Sequence, residues 1–269
     1  MRNTISNQII KEENALSGLK EADLISCQFV PEADDEACLR MAKDVMIRDC
    51  SFSVRYALWA AENFTLEKAK ADENSRSAFW YSKHIFITDC DWNGPKALRE
   101  CSDVQIRNSR IDSSEFGWKC QQVTVNGGII NSDYLFLGAR DVDVEHTQIT
   151  GKYHFQYGEN ITISDSDLDT KDALWHSRNV TVKNSVLSGL YVGWFTEGMT
   201  LINCHVKSYM PFFGCKGLKL IDCTMEGSEM CFCGSDVEAV INGHIDSYYE
   251  PLSGSVICDS VGEVLTDIM

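Results

Sequence analysis

The stretch ITISDSDLDTKDALWHSRNVTVKNSVL, from Ile161 to Leu187, contains one eight-residue phrase twice, at Ile161 (ITISDSDL) and at Val180 (VTVKNSVL). The phrase has the form apolar-x-apolar-x-Asp/Asn-small-x-apolar, and its two copies begin 19 residues apart. The same spacing continues in both directions, which is the signature of a repeat architecture. Clear copies also begin at Ile85, Val104, Val123, Val142, Met199 and Leu218, and looser copies begin at Ala22, Val45, Phe64 and Glu238.

Within most copies of the phrase, the first and third residues are apolar and the second and fourth are polar. This period of two predicts a strand with one buried face. A unit of 19 residues has no room for a helical crossover, so successive strands can pair only if the backbone completes one turn per unit. The sequence therefore predicts an all-β fold, a single-stranded right-handed parallel β-helix of about twelve coils.

The repeat covers nearly the whole chain, and we expect one β-helix domain over residues 1–269. The polar segment 1–20 and the irregular segment 249–269 lack the clear phrase, and we expect them to cap the two ends of the coils in 21–248. Caps of this kind keep exposed strand edges from pairing with other molecules.

The composition of the 269-residue chain is that of a folded protein, with 44% hydrophobic and 10% aromatic residues. Its formal net charge of −16 excludes a basic nucleic-acid-binding protein. No apolar run approaches the roughly 18 residues that a transmembrane helix needs, and the first residues do not resemble a secretory signal. We therefore expect a cytoplasmic protein that binds neither nucleic acid nor membrane.

Stacked coils place residues of successive units in columns, and two columns hold mainly small side chains. Most of the twelve cysteines lie in these columns, for example Cys204 and Cys223. We expect them to be buried free thiols that act as small hydrophobic side chains. Another column holds residues such as Asp165 and Asn184, which tolerate unusual backbone angles and are expected to form one corner of each coil.

The most distinctive column is aromatic and holds five of the six tryptophans. A ladder of stacked rings in the core is the simpler interpretation, because rings about 4.8 Å apart pack well in offset stacks. The alternative is a strip that faces solvent, and the interruptions by Arg99 and Gln156 favour partial exposure. The column consists of Trp59, Trp80, Arg99, Trp118, Leu137, Gln156, Trp175, Trp194, Phe213 and Phe232.

Further aromatic residues crowd the middle coils beside this column, and they cannot all point inward if side chains alternate. We therefore expect an exposed aromatic patch, and patches of this kind mark binding or self-association surfaces. A carbohydrate or a partner protein is the expected ligand, and a homodimer is the alternative. The candidate ligand-binding residues are Tyr134, Tyr153, Phe155, Tyr157, Trp175, His176, Tyr191 and Trp194.

Asp141, Asp143 and Glu145 are the catalytic candidates if the protein is an enzyme. Alternation turns all three carboxylates outward with neighbours roughly 6.7 Å apart, which suits an inverting glycoside hydrolase or a hard cation such as Ca²⁺. No Arg or Lys lies in register on the adjacent coils, as a polysaccharide lyase would need. A solvated acidic surface is the simpler interpretation, and apart from this Ca²⁺ alternative we expect no metal ion or other cofactor.

A Trp-x-Ser-x-Asn/His step into a Val/Ile strand recurs in the chain. It occurs in LWHSRNVTVKNSVLSGLYVGW (Leu174 to Trp194) and in FWYSKHIFITDC (Phe79 to Cys90). In these phrases and in INGHIDSYYEPLSGSV (Ile241 to Val256), the chain resembles the bacterial family labelled domain of unknown function 3737. The resemblance covers nearly all of the chain. It implies a right-handed β-helix of the pectin-lyase type, and it supplies no catalytic residues.

Analogy of fold alone does not decide function. Many β-helices of this shape cleave or bind acidic polysaccharides, but a net charge of −16 repels such substrates unless cations bridge the two. We therefore expect a non-catalytic binding or scaffolding protein with a carbohydrate or a partner protein on the aromatic patch. A polysaccharide-active enzyme, either a glycoside hydrolase or a lyase, is the alternative.

Overall fold

The computed structural model describes residues 2–30 and 37–266. Within these ranges the paired strands run parallel and no helix occurs. The strands form about 14 turns of a right-handed parallel β-helix with a spacing of about 19 residues, which confirms the predicted fold class. The number of turns is slightly larger than the expected twelve coils. The described ranges therefore contain no helix that could cross a membrane.

The chain divides into two compact units, Met1–Leu135 and Phe136–Met269, and each is described by itself. The first ten strands of the first unit alternate between longer and shorter segments, and the last two are both long. They are β1 (Asn3–Ser6), β2 (Ile9–Ile10), β3 (Lys20–Ile25), β4 (Gln28–Phe29), β5 (Lys43–Arg48), β6 (Ser51–Phe52), β7 (Glu62–Glu67), β8 (Lys70–Ala71), β9 (Lys83–Thr88), β10 (Asp91–Asn93), β11 (Ser102–Asp112) and β12 (Gln121–Asp133).

The second unit begins and ends with long strands, and shorter strands lie between them. They are β13 (Arg140–Lys152), β14 (Glu159–Ser164), β15 (Asp167–Lys171), β16 (Arg178–Lys183), β17 (Val186–Gly189), β18 (Glu197–Ile202), β19 (His205–Ser208), β20 (Leu218–Glu226), β21 (Asp236–Tyr249) and β22 (Ser253–Leu265).

Each repeated phrase lies on a strand, and equivalent residues of successive copies are partners. In the second unit, Val142 pairs with Ile161, and Ile161 pairs with Val180. The first and third residues of the phrase are buried, as Ile161 and Ile163 are 1% and 0% exposed. Thr162 between them is half-buried and points to the outer face. The alternation of each strand therefore puts the apolar core inside the coils, as predicted.

Asp165 follows β14 and Asn184 follows β16, and each forms a corner with a left-handed backbone. Asp165 and Asn184 have φ values of 48° and 49°. The Nδ2 of Asn184 donates to Oδ1 of Asp165 at 3.2 Å, and the Nδ2 of Asn203 donates to Oδ1 of Asn184 at 3.0 Å. Asn and Asp tolerate this conformation better than other non-glycine residues. The predicted corner column is confirmed.

The column of small residues needs side chains that are compact and can accept a hydrogen bond. The backbone N–H of Thr147 donates to Oγ of Ser166 at 3.0 Å, and that of Cys27 donates to Sγ of Cys50 at 3.3 Å. All twelve cysteines are free thiols and eleven are buried, as expected. Burial raises the pKa of Cys50 and of Cys90 to about 11, so these thiols stay protonated at neutral pH.

Strands extend into both segments that the sequence predicts to be caps. β1 and β2 pair with β3 and β4, and β22 pairs with β21. The coils therefore include residues on both sides of the expected boundaries at 20 and 249. The capping role of these segments and a single-domain organisation stay predictions.

Candidate functional site

Tyr157, His176 and Phe195 of the second unit lie at the same step of successive coils, one residue after the aromatic column. The N–H of Tyr157 donates to the carbonyl of Trp175, and that of His176 donates to the carbonyl of Trp194, both at 2.9 Å. All three residues have left-handed φ values between 54° and 57°. All three side chains are exposed at this turn.

The rings of these three residues form a parallel stack, which we call the ring stack. The ring centroids of Tyr157 and His176 are 5.1 Å apart, and the ring planes differ by 5°. The centroids of His176 and Phe195 are 4.9 Å apart, with planes that differ by 12°. Each such pair contributes about 0.5–1.5 kcal/mol beyond the burial of its area. Both faces of His176 are therefore covered by its neighbours.

Glycine flanks the ring stack at both ends. The N–H of Gly138 donates to the carbonyl of Gln156 at 2.8 Å, so Gly138 occupies the ring position one coil before Tyr157 and adds no side chain there. At the other end, a Cβ on Gly214 would lie 2.7 Å from Cδ1 of Phe195, so the Phe195 ring rests against Gly214. Tyr157 is 61% exposed and Phe195 39%. The open face of the stack is therefore the Tyr157 face beside Gly138.

A row of alternating charges, which we call the charge ladder, runs two residues further along each coil. Its members are Arg140, Glu159, Arg178, Glu197 and Lys216. Nitrogen–oxygen distances are 3.6 Å for Arg140–Glu159, 3.6 Å for Arg178–Glu197 and 3.0 Å for Lys216–Glu197. The hydrogen bond from Lys216 holds the pKa of Glu197 below its usual value. Exposed ion pairs of this kind contribute little to stability, so their groups can turn to a ligand at small cost.

In the second unit, Trp175, Trp194 and Phe213 of the aromatic column are half-buried beside the ring stack. The placement of Phe232 in this column is wrong, because Phe232 is 0% exposed and its ring stacks on Phe212 in the core. Trp175 and Trp194 stack with centroids 5.1 Å apart and planes that differ by 4°. Their indole Nε1 atoms donate to the carbonyls of Tyr191 and Met210, both at 2.7 Å. The hydrogen bonds fix the rings at the edge of the coil. The two tryptophans are therefore neither fully buried in the core nor fully exposed to solvent.

The first unit has its own aromatic surface, in which Arg99 lies between two tryptophans. The guanidinium carbon of Arg99 is 5.0 Å from the ring centroid of Trp80 and 5.3 Å from that of Trp118. A cation over an aromatic face is attracted by the ring electrons. The candidate Tyr134 belongs to this surface, because its carbonyl accepts from Nε1 of Trp118 at 2.9 Å and its side chain is 39% exposed.

The remaining candidates are less accessible than the ring stack. Tyr153 and Tyr191 are half-buried. The ring of Tyr191 packs on Trp194 with centroids 4.8 Å apart. Gln156 replaces a tryptophan in the column and makes the equivalent bond, since its Nε2 donates to the carbonyl of Asp172 at 3.2 Å. Gln156 itself is only 8% exposed, so it does not open the column to solvent.

The expected aromatic patch included Phe155, and this prediction is wrong, because Phe155 is 0% exposed and lies in the core. Its ring packs against Phe136 with centroids 5.7 Å apart. The expectation assumed that side chains alternate, but this segment is a turn. Tyr153, Phe155 and Tyr157 all have positive φ, and the residues on either side of Phe155 are buried as well. Phe155 is therefore not available to a ligand in this structure.

The three acidic candidates are exposed, but they are not equivalent. Asp141 has a φ of 55° and belongs to a corner ladder, in which Asn160 donates to Asp141 and Asn179 donates to Asn160, both at 2.7 Å. Asp141 and Asp143 line a shallow groove of about 270 Å³, and Glu145 lies two residues beyond. In residues 2–30 and 37–266, no group of three or more His, Cys, Asp or Glu side chains is arranged to hold a metal ion.

A larger groove of about 660 Å³ lies on the first unit, and sequence reasoning missed it. We call it the polar groove. Its charged and amide residues are Lys70, Asp72, Asp91, Asn93, Arg110 and Asp112, and Val30, Ser51, Phe52, Ser53 and Ala71 complete its lining. Sequence reasoning followed the aromatic residues and did not compare these polar positions. The signal was present in the register, since Lys70 pairs with Asp91 and Asp91 pairs with Arg110.

The fold and these surfaces define the class of the protein: a right-handed parallel β-helix with an exposed stack of aromatic rings. The chain belongs to the family described as protein of unknown function (DUF3737), whose model matches residues 3–269. This match confirms the resemblance found in the sequence. No curated protein matches the chain.

Solved structures with a similar course of the chain share little sequence with it. The surface adhesin PfbA of Streptococcus pneumoniae is 8% identical over 92% of this chain and 84% of that chain, with a TM-score of 0.43. The A-module of the mannuronan C-5 epimerase AlgE6 of Azotobacter vinelandii is 12% identical over 100% of this chain and 91% of that chain, with a TM-score of 0.38. At these identities and TM-scores, neither similarity carries a conclusion about this chain.

Proposed function

We propose that the protein is a non-catalytic carbohydrate-binding β-helix and that the ring stack of the second unit holds the sugar. The observation that carries this proposal is the open face of Tyr157, which is 61% exposed and lies beside Gly138. The face of an aromatic ring is apolar and carries the negative end of the ring quadrupole. The C–H groups on one face of a pyranose ring are complementary to it.

The stack holds Tyr157 in place before a ligand arrives. His176 supports its inner face at a centroid distance of 5.1 Å, and Phe195 supports His176 in turn. A side chain that is already ordered loses little conformational entropy on binding. Because only one ring face is open, we expect the stack to recognise a single sugar residue or a chain end rather than a long glycan laid along the coils.

The charge ladder supplies polar partners for the hydroxyl groups of the sugar. Glu159 lies two residues after Tyr157, and Arg140 and Arg178 are its partners in register on the adjacent coils. Carboxylate and guanidinium groups form hydrogen bonds worth about 1.5–3 kcal/mol, more than neutral partners do. An apolar face beside a few directed polar groups is the usual composition of a small-molecule site.

The same ladder favours binding over glycoside hydrolysis. Glu159 and Glu197 lie two rungs apart, roughly 9–10 Å, and Arg178 lies between them. Hydrolysis needs one carboxyl group whose pKa is raised so that it can donate a proton. The pKa of Glu197 is lowered by its hydrogen bond to Lys216, which is the opposite direction.

Calorimetric titration with neutral oligosaccharides tests the proposal, with cellohexaose, xylohexaose and maltohexaose as probes. We expect saturable binding to at least one probe and a loss of about tenfold or more in affinity for Tyr157→Ala, which corresponds to about 1.4 kcal/mol. Tyr81→Ala is the matched control, because Tyr81 is an exposed tyrosine at the same step of a coil in the first unit and lacks a parallel stack.

Three results would overturn the proposal. The first is an unchanged dissociation constant for Tyr157→Ala, and the second is release of reducing ends from the bound probe by the wild-type protein. The third is a wild-type dimer that binds no probe and that Tyr157→Ala converts to a monomer in light scattering. That result would assign the ring stack to self-association.

A further inference from the structure

We infer that the polar groove of the first unit is a second binding site and that it takes a short, uncharged, polyhydroxylated ligand such as a neutral oligosaccharide. The inference does not rest on the ring stack, which belongs to the other unit. The groove has a volume of about 660 Å³, which lies within the range of roughly 300–1,000 Å³ that is typical of small-molecule sites.

One row of the groove alternates between donors and acceptors. Lys70, Asp91 and Arg110 are partners in register on β8, β10 and β11, so they lie about 4.8 Å apart along the stack of strands. All three side chains are exposed on the outer face. The row therefore presents an ammonium group, a carboxylate and a guanidinium group in succession.

A second row lies two residues further along the same coils. Asn93 and Asp112 are partners in register, and Asp72 follows the partner pair Ala71 and Trp92 by one residue on the preceding coil. This row presents a carboxylate, an amide and a second carboxylate. Asp72 already accepts from the backbone N–H and the Nδ2 of Asn74 at 3.0 and 3.4 Å, and Oδ1 of Asp112 accepts from Asn131 at 3.3 Å, so the remaining lone pairs are the ones open to a ligand. The amide can both donate and accept, so the two rows together offer every kind of hydrogen-bond partner.

The charged groups of the first row are not consumed by each other. Elsewhere in the first unit, oppositely charged residues in register form ion pairs, with 2.8 Å between Arg48 and Glu67. Lys70, Asp91 and Arg110 are partners in register, but among the described residues no ion pair or side-chain hydrogen bond joins them to one another. Their donors and acceptors face the groove and are available to a ligand.

The alternation of charge indicates an uncharged ligand. Two cationic and three anionic side chains line the groove, so any ionic group placed in it meets a like charge within one rung of an opposite one. The overall charge of −16 further disfavours an anion. A hydroxyl group both donates and accepts, and it therefore fits next to each member of both rows.

The experiment is calorimetric titration of the full chain with cellotriose, xylotriose and maltotriose, and with trigalacturonate as the anionic comparison. We expect saturable binding to a neutral probe, weakened about tenfold or more by the double variant Asp91→Asn/Arg110→Gln, because bonds to charged groups are the strong ones. Arg107→Gln is the matched control, since Arg107 is an exposed arginine of β11 outside the groove. If the double variant melts at a lower temperature than the wild type, Lys70→Gln replaces it.

The inference is overturned if no neutral probe binds, if trigalacturonate binds as tightly as the neutral probes, or if the groove variants bind as the wild type does. Tyr157→Ala separates the two sites. Binding that survives Tyr157→Ala and is lost in the groove variants supports the polar groove. Binding that is lost in Tyr157→Ala and kept in the groove variants overturns the groove and leaves the ring stack as the carbohydrate site.

Discussion

Phe155 and Tyr157 lie on the same turn with one residue between them, yet Phe155 is 0% exposed and Tyr157 is 61% exposed. Both have a φ of 57°, so the difference does not come from their own backbone conformation. It comes from the direction of the chain, which turns between them at Gln156. The first ring therefore faces the core and the second faces solvent.

Alanine at these two positions should separate core packing from surface recognition. We expect Phe155→Ala to lower the free energy of unfolding by about 3–5 kcal/mol, because it leaves a cavity in a packed core. Tyr157→Ala should lower it by only about 0.5–1.5 kcal/mol, since it removes one exposed stacking partner. Urea unfolding of both variants measures the difference. Equal losses would contradict the placement of the two rings.

The spacing of 19 residues was sufficient to predict which residues become neighbours on successive coils. It predicts the pairing of Val142 with Ile161, and it predicts the corner formed by Asp165 and Asn184. Both follow from chemistry that is local to one coil: apolar residues at alternate positions and Asp or Asn at a left-handed corner. Because the sequence repeats, the same strand and the same corner recur in successive coils.

The direction of side chains in the turns could not be predicted in the same way. Alternation applies to strands, and the segment from Tyr153 to Tyr157 contains three residues with positive φ. Gly138 leaves one face of the Tyr157 ring open because it has no side chain at the equivalent position of the preceding coil, and this depends on the direction of the Tyr157 side chain. The polar groove was not predicted for another reason. Each of its charged residues is of a type that is common on the exposed face of a strand, and only their pairing in register brings them together.

The corner ladder of the second unit predicts a difference between two substitutions at Asn160. Asn160 has a φ of 56°, donates to Asp141 and accepts from Asn179. Asn160→Ala loses these bonds and also places Ala in a left-handed conformation, which costs about 1–2 kcal/mol. Asn160→Gly loses the same bonds without that strain. Thermal unfolding should therefore rank Asn160→Gly above Asn160→Ala, and equal melting temperatures would show that backbone strain plays no part.

Asp172 predicts a pH dependence of stability. The side chain is 4% exposed, its Oδ1 has no hydrogen-bond partner among the described residues, and burial raises its pKa while Lys171 opposes the shift. The native state therefore keeps a proton that the unfolded chain has lost, so stability falls as the pH rises from about 3.9 through the raised pKa.

Asp172→Asn removes this titration and keeps the size of the side chain. We expect the variant to be more stable than the wild type at pH 7, and we expect the difference to shrink towards zero at acid pH. Asp169→Asn, an exposed residue of β15, is the control. Melting temperatures from pH 3 to pH 8 are the measurement. A difference that does not change with pH would mean that Asp172 is not the titrating group.

The cysteines predict a thiol titration with one early step. Eleven thiols are buried and Cys258 on β22 is half-buried. A thiolate is the reactive species, and burial raises the pKa of Cys50 and Cys90 to about 11, so these thiols are both protonated and inaccessible at pH 8. The native protein should react with Ellman's reagent first at Cys258, and the denatured protein should react at all twelve. Cys258→Ser should abolish the early step, and several fast thiols in that variant would mean that the coils open far more readily than their packing indicates.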